Sequence, residues 1–366
     1  MEQKHTTGGH NVKPGHLAAH GEGVKLGGER TLYRYLILLC LFGSVLPFIA
    51  INTITYIITK GVMKQKTFNH LVSIRDIKRI EMEDFFFERR ADAFQLSNNN
   101  LFKSVAASYT DAFHKGGLKG AAYAEADRMY GNILVSFAEA YQYYDILVID
   151  MDGDVVASAR DRPELGKNVL KAPYFGTQLE EAFKRGKTGI DILDMEWYKP
   201  NDRPALFIAA PIAKDLTDET VAVVVFHLEN RRINNIMTQR SGLRETGETY
   251  LVGEDFLLRS KSRFIKTPST LKTKVNTKAA REALAGNTDI GIIRDYRNIK
   301  VLSAFTPLDV TYGVRWALIV EMDKSEALTM ESSVKQQFLY IGASLVLLWV
   351  VIILVFHRMM VGKIMT

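Results

Sequence analysis

Two charge-free apolar runs bracket a large polar body, and that layout constrains the chain more than any motif inside it. The runs cover residues 36–58 and 338–356. Each is close to the ~20 residues an α-helix needs to cross ~30 Å of hydrocarbon. The body between them is therefore expected to be tethered at both ends on one face of a membrane. Orientation follows from the flanks, because positive residues stay cytoplasmic. Lys13, Lys25, Arg30 and Arg34 precede the first run, and His357, Arg358 and Lys363 follow the second with no acid among them. Both chain ends are expected inside an inner membrane, and residues 60–337 outside it. Lys60, Lys64, Lys66 and Lys335 weaken the contrast, but long loops translocate largely regardless of charge. The first run is too long and begins too late for a cleavable signal peptide.

Composition fits a folded exterior. With 366 residues, 47% hydrophobic and 24% charged, the chain can supply both spans and one large or two ordinary domains. The net charge of +6 is spread along the sequence, which argues against a nucleic-acid partner. Cys40, the single cysteine, lies in the first run, so packing and not a disulfide must hold the body together. Residues 1–31 read as a disordered cytoplasmic tail, rich in Gly and His. The spacing of His5, His10, His16 and His20 fits no compact metal-ligand pattern.

Past the first run, Leu71, Ile74, Ile77 and Ile80 recur at near-helical spacing, and no Pro or Gly interrupts residues 62–115. This predicts a long helix leaving the membrane and ending near Asn98, a natural stalk and dimer surface. A second helix is expected over 118–140, so that 61–140 holds the stalk and packing helices. Residues 145–150 and 155–159 then flank Met151-Asp152-Gly153-Asp154, the signature of a hairpin with an Asp-Gly turn. Strands are expected at 188–193, 205–211 and 221–228, and a helix at 230–240. A second hairpin (249–252 and 256–260), a helix (277–285) and strands at 291–296, 300–307 and 314–321 repeat the order. The expected fold is α+β: two stacked modules, 141–229 and 230–323, each with a five-stranded antiparallel sheet and helices to one side. A connecting helix from 324 leads at 337 into the second span, and 357–366 begins a cytoplasmic linker.

This arrangement resembles the double Cache (double PAS-like) sensor domains of bacterial transmembrane receptors. Asp84-Phe85-Phe86-Phe87-Glu88-Arg89-Arg90-Ala91-Asp92 is similar to the family's aromatic-Phe-x-x-Arg-x-x-Asp on the stalk helix. Thr246-Gly247-Glu248-Thr249-Tyr250-Leu251-Val252-Gly253 with Leu258-Arg259-Ser260-Lys261-Ser262-Arg263-Phe264 looks like the segment opening the membrane-proximal module. Residues 301–308 and 316–323 look like its closing strands. The resemblance implies a small extracytoplasmic ligand in the membrane-distal module and a signal passed through the second span. A cytoplasmic output, of the chemotaxis or histidine kinase type, would respond. The long stalk helix points to a homodimer, and no cofactor is expected.

Candidate ligand residues cluster between the third and fourth distal strands. Asp191, Asp194, Trp197 and Tyr198 there combine aromatic walls with polar anchors, as small-ligand pockets do. The amino-acid-sensing branch of the family carries Arg-x-Trp-Tyr-x-Asp at this place. Here Met195 and Pro200 occupy the Arg and Asp positions, so both anchors of an ordinary amino acid are missing. The plainer reading is that Trp197 and Tyr198 only pack the loop. His227, interrupting an apolar strand, and Tyr144 complete the candidate set. A histidine facing ligand would make binding depend on pH between about 5 and 8, whereas a hydrogen-bonded core histidine would not.

Other signals have ordinary explanations. Asp150, Asp152 and Asp154 alternate like a calcium loop, but Gly153 and Asp161 break the EF-hand pattern and a turn accounts for them. Arg259, Lys261, Arg263 and Lys266 read as a solvated strand end, with Ser260 and Ser262 making structural hydrogen bonds. Residues 242–247 lack the strand–Gly–helix phosphate pattern, and no catalytic spacing points to an enzyme. Two spans without an internal charge offer no ion path. The alternative to a sensor is a membrane-anchored structural or interaction domain without a small-molecule ligand.

Overall fold

The computed structural model describes residues 22–160, 162–214, 219–240, 242–328 and 330–364. The histidines of the expected tail lie outside the described residues, but helix α1 (Glu22–Asn98) already starts within that tail. The chain divides into two compact units, Met1–Val62 with Glu331–Thr366, and Met63–Met330. The first unit holds the start of α1 and most of α8 (Met330–Ile364). Apolar, charge-poor helix long enough to cross a membrane occurs within Val45–Asn98 and over Val334–Val355. Its Ile51, Ile54, Leu339 and Leu347 side chains are exposed.

In the second unit, α1 buries one face through Leu71, Ile74, Met82, Phe85, Phe86, Ala93 and Leu96. The three-residue repeat seen in the sequence does not stay on that face. A step of three turns ~300°, so Ile77 and Ile80 drift outward and are exposed. The stalk ends at Asn98 as expected, but α2 (Asn100–Gly116) follows at once, an element the sequence reading missed. Its Phe102, Val105, Ala106, Tyr109 and Ala112 form a buried helical stripe. Asn99 caps it by accepting from the Leu101 and Phe102 amides at 2.9 and 3.3 Å. Gly117, at φ +62°, ends it, so the next helix α3 spans Ala121–Ala140 and not 118–140.

The distal sheet has six strands and not five. Its order is β2 (Val155–Ser158), β1 (Tyr143–Asp150), β6 (Thr220–Leu228), β5 (Arg203–Ala213) and β3 (Asp191–Ile192), with β4 (Glu196–Tyr198) also paired to β5. All pairs are antiparallel. One face, through Ile146, Val148, Val224 and Phe226, joins the helical core with α2 and α3. The other, through Leu147, Phe207, Ala209, Val223 and Val225, packs on α4 (Gln178–Gly186) and the loop before it. A Cβ on Gly186 would stand 2.5 Å from Val223 Cγ1 and 2.8 Å from Ala209 Cβ, so only glycine lets α4 approach this closely. The Asp150 turn forms as expected: its Oδ1 accepts the Asp152 and Asp154 amides at 3.0 and 2.9 Å, and Gly153 takes φ +89°.

After α5 (Arg231–Thr238) comes the proximal sheet, four strands in the order β7 (Glu248–Val252), β10 (Val314–Asp323), β9 (Lys300–Thr311) and β8 (Asp289–Arg294). The strand expected over 256–260 is reduced to single bridges, Val252 to Leu258 and Leu257 to Lys274. Phe256 sits at φ +63°, which breaks the extended run. Helix α6 (Lys278–Leu284) covers one face with Ala279, Ala280 and Ala283. The short α7 (Lys324–Ala327) follows β10 and precedes α8.

Candidate functional site

The α4-side face of the distal sheet carries a row of polar and aromatic groups at adjacent strand positions. His227 on β6 pairs with Asp145 on β1 and with Phe207 on β5. Strand alternation points all three to one face. A bulge between Tyr143 and Asp145 brings Tyr144 to the same place, its ring 4.5 Å from that of His227. Phe207 lies 4.7 Å and Tyr198 6.2 Å from the imidazole, ring centre to ring centre. Arg162 and Arg203 sit over Tyr144 at 4.5 and 4.8 Å.

The inner end of this cluster is acidic. Asp145 is buried, accepting from Ser158 Oγ at 2.9 Å and the Ile146 amide at 2.8 Å. Burial pushes its carboxyl up to about 6, against the effect of those hydrogen bonds. Glu164, in the loop between β2 and α4, is only 2% exposed. Tyr198 is equally buried, and its phenol is raised far above the ordinary range by burial and by the nearby Glu164 carboxylate. Neither Tyr198 Oη nor Glu164 Oε2 finds a hydrogen bond of good geometry among the described residues, and Arg162 Nε also lacks one. Buried groups of this kind are normally paired, which makes these three candidates for contact with something outside the chain.

The six residues expected from the sequence separate into two sets. Tyr144, Tyr198 and His227 meet in this cluster. Trp197 points the other way, as the neighbour of Tyr198 on a strand must. Its Nε1 donates to Asp202 Oδ1 at 3.1 Å, and Lys272 lies 4.5 Å above its ring. Asp191 pairs with Arg185 at 3.2 Å. Asp194 is held by the proximal module: Arg259 Nε and Nη2 donate to it at 3.0 and 2.7 Å, and Trp316 Nε1 at 2.7 Å. Arg259 is therefore no solvated strand end. It is 2% exposed and also donates to Asp255 at 2.8 Å. His227 takes the core-histidine alternative in its titration, since burial, reinforced by Arg203 and Arg162, pushes its imidazole down to about 3. It is neutral throughout pH 5–8 and is no switch in that range.

Arg162 and Glu164 escaped the sequence reading. They flank Pro163 in an irregular loop, and nothing local separates them from ordinary surface charges. A cavity of about 380 Å³ lies elsewhere, between α1, the α3–β1 turn and the start of α5. Of its lining charges, Arg89 pairs with Asp92 at 2.8 Å and Arg231 with Glu229 at 3.3 Å, and Glu88 and Arg232 complete the charged wall.

The sequence model of the Cache domain matches residues 87–330. The chain belongs to the Cache-domain family. The match runs from the stalk through both sheets of the Cache domain, and the distal cluster falls inside it. Comparison with curated proteins finds no match. Among solved structures, the chain is similar to the ligand-binding domain of Pseudomonas fluorescens chemoreceptor CtaA in complex with L-isoleucine, at 15% identity and TM-score 0.49, covering 74% of this chain and 98% of that one. It is also similar to the ligand-binding domain of Campylobacter jejuni chemoreceptor Tlp3 in complex with L-valine, at 12% identity and TM-score 0.49, again covering 74% and 98%. A third is the ligand-binding domain of the Pseudomonas aeruginosa PAO1 amino acid chemoreceptor PctB in complex with L-Arg, at 13% identity and TM-score 0.47, covering 72% and 97%.

Proposed function

We propose that this Cache domain is the extracytoplasmic sensor of a two-span membrane receptor, binding a small polar ligand in the distal module. It acts by binding and not by catalysis. The observation that carries the reading is the buried pair Glu164 and Tyr198, close enough to perturb one another, whose Tyr198 Oη and Glu164 Oε2 lack a hydrogen bond of good geometry among the described residues. The acids lie inward and the guanidiniums of Arg162 and Arg203 nearer the rim. A ligand with a cationic or hydrogen-bond-donating group pointing in and an anionic group pointing out fits that polarity. These anchors differ from the Arg and Asp replaced by Met195 and Pro200, so an amino acid held in the family's usual way is not expected.

Signal transfer follows from the loop around β4. Tyr198 sits in the distal cluster, and four residues earlier Asp194 is gripped by Arg259 and Trp316 of the proximal module. Trp316 in turn packs edge-on against Phe86 of the stalk at 5.5 Å. Ligand that reseats Tyr198 would pull on this clamp, favouring one of two arrangements of the strand leading to the second span. A cytoplasmic output of the chemotaxis or histidine kinase type would read the change.

The test is a thermal-shift screen of the detergent-solubilised chain against libraries of small amines, amino acids and organic acids. A ligand at 100 times its Kd should stabilise by about 2.7 kcal/mol. Glu164→Gln and Tyr198→Phe should each abolish that shift while leaving the unliganded melting temperature within a few degrees. A hit whose effect survives both changes would place binding elsewhere. No hit in any class would favour a domain that meets a protein partner.

A further inference from the structure

The proximal sheet repeats the distal row with different chemistry. Ser303 on β9, Glu321 on β10 and Glu248 on β7 are direct neighbours across three strands. By strand order they correspond to Phe207, His227 and Asp145 of the distal sheet, on the face covered by α6 and the segment after β7. Glu321 and Glu248 are 2% and 3% exposed. Opposed residues on antiparallel strands have Cβ atoms only ~5 Å apart. Two carboxylates so placed, out of water, cannot both be ionised without a cation between them.

Neither acid has one among the described residues. The Tyr250 hydroxyl donates to Glu321 Oε2 at 2.8 Å. Glu248 accepts from the Tyr296 hydroxyl at 2.6 Å and the Arg263 amide at 2.6 Å, and Ser262 Oγ lies 2.7 Å from that same hydroxyl. The charged groups nearest the pair are already engaged. Arg297 pairs with Asp295 and Asp323, each at 2.6 Å, and the Arg263 guanidinium donates to the Gly247 carbonyl. From α6 only the alanines are buried against this face. Beyond β10, Glu326 of α7 caps the Glu245 and Thr246 amides at 3.0 and 2.8 Å.

We infer that Glu248 and Glu321 share a proton, and that its loss at alkaline extracytoplasmic pH loosens the proximal sheet, making this module a pH-responsive input separate from the distal ligand site. Burial pushes the Glu321 carboxyl up to about 8 and also raises that of Glu248. Glu321 lies three residues before α7 on the strand that leads out of the module. Losing the proton places two charges side by side at the foot of that strand. The inference stands whether or not the distal cluster binds a ligand.

The experiment uses the full chain in lipid nanodiscs, with infrared spectra and amide hydrogen exchange recorded from pH 6 to pH 9. Wild type should show a protonated-carboxyl carbonyl band at neutral pH that fades on the alkaline side and is missing in Glu321→Gln. Exchange of β7 and β10 amides, corrected for intrinsic rates, should accelerate about tenfold across the range in wild type and stay flat in the variant. Glu248→Gln, which removes the facing charge, should move fading of the band to lower pH without abolishing it. Absence of a Glu321-dependent band at neutral pH overturns the inference. So does an exchange response retained in full by Glu321→Gln, or a band unmoved by Glu248→Gln should the first variant fail to fold.

Discussion

His227 illustrates how a single residue changes meaning on folding. In the sequence it is a titratable group in an apolar strand; in the fold, Tyr144, Tyr198 and Phe207 enclose it and its imidazole stays neutral to about pH 3. An unfolded imidazole takes up a proton near 6.5. Protons therefore favour the unfolded chain as pH falls from about 6.5 towards 3, and stability drops by up to about 1.4 kcal/mol per pH unit in that window. Thermal melts of wild type and His227→Leu at pH 7 and pH 4.5 should separate this effect from other acid-sensitive groups. The variant should lose less stability on acidification, and equal losses would rule out the buried neutral histidine. Gly253 makes the opposite point about an apparently featureless residue. A Cβ there would stand 2.2 Å from Arg259 Cζ, so glycine is what lets the guanidinium lie against its own turn and reach Asp194.

Among the elements, α2 has the clearest local logic. Its apolar stripe, its Asn99 cap and its Gly117 stop are all visible in the chain once the helix is known. Residues 98–100 read as a turn because α1 ends at Asn98 and Asn99, the next residue, already caps α2. Removing the cap in Asn99→Ala should cost about 1 kcal/mol, seen as a lower melting temperature with unchanged helical content. No measurable change would mean that the α1–α2 corner is held by Leu96 and Phe102 alone. The missing proximal strand is the complementary case. Residues 256–260 alternate as a strand should, but the positive φ at Phe256, the Arg259 donation to Asp194 and the Leu251 amide's donation to Ser260 Oγ override that pattern.

For the whole molecule, the exposed side of the stalk poses the largest question. Ile77, Ile80, Phe87 and Phe94 fall at alternating three- and four-residue heptad spacing, with Asp84 and Ala91 at the intervening positions. Their exposures are 54%, 51%, 75% and 59%. Large apolar side chains in a coiled-coil register are unfavourable in water unless covered, and a second copy of the same helix would cover them in register. Sedimentation analysis should find the solubilised chain dimeric and the Phe87→Glu, Phe94→Glu double variant at least tenfold weaker in self-association, with its secondary structure intact. A monomeric wild type would overturn the stalk as a dimer surface.

What the sequence determined by itself was everything that depends on local pattern. Two apolar runs set the candidate spans, period-3.6 and period-2 stretches set most helices and strands, and the repeated element order exposed two modules of one type. Tyr144, Tyr198 and His227 were legible as candidates because aromatics and a histidine stand out in apolar strands. The tertiary structure decided which charges are buried and what they face. Asp194 and Arg259 are 65 residues apart yet form one clamp. Arg162 and Glu164 look like any loop charges, and Glu248 meets Glu321 only through strand pairing. Burial and charge proximity are sums over residues distant in sequence, and no local period encodes them.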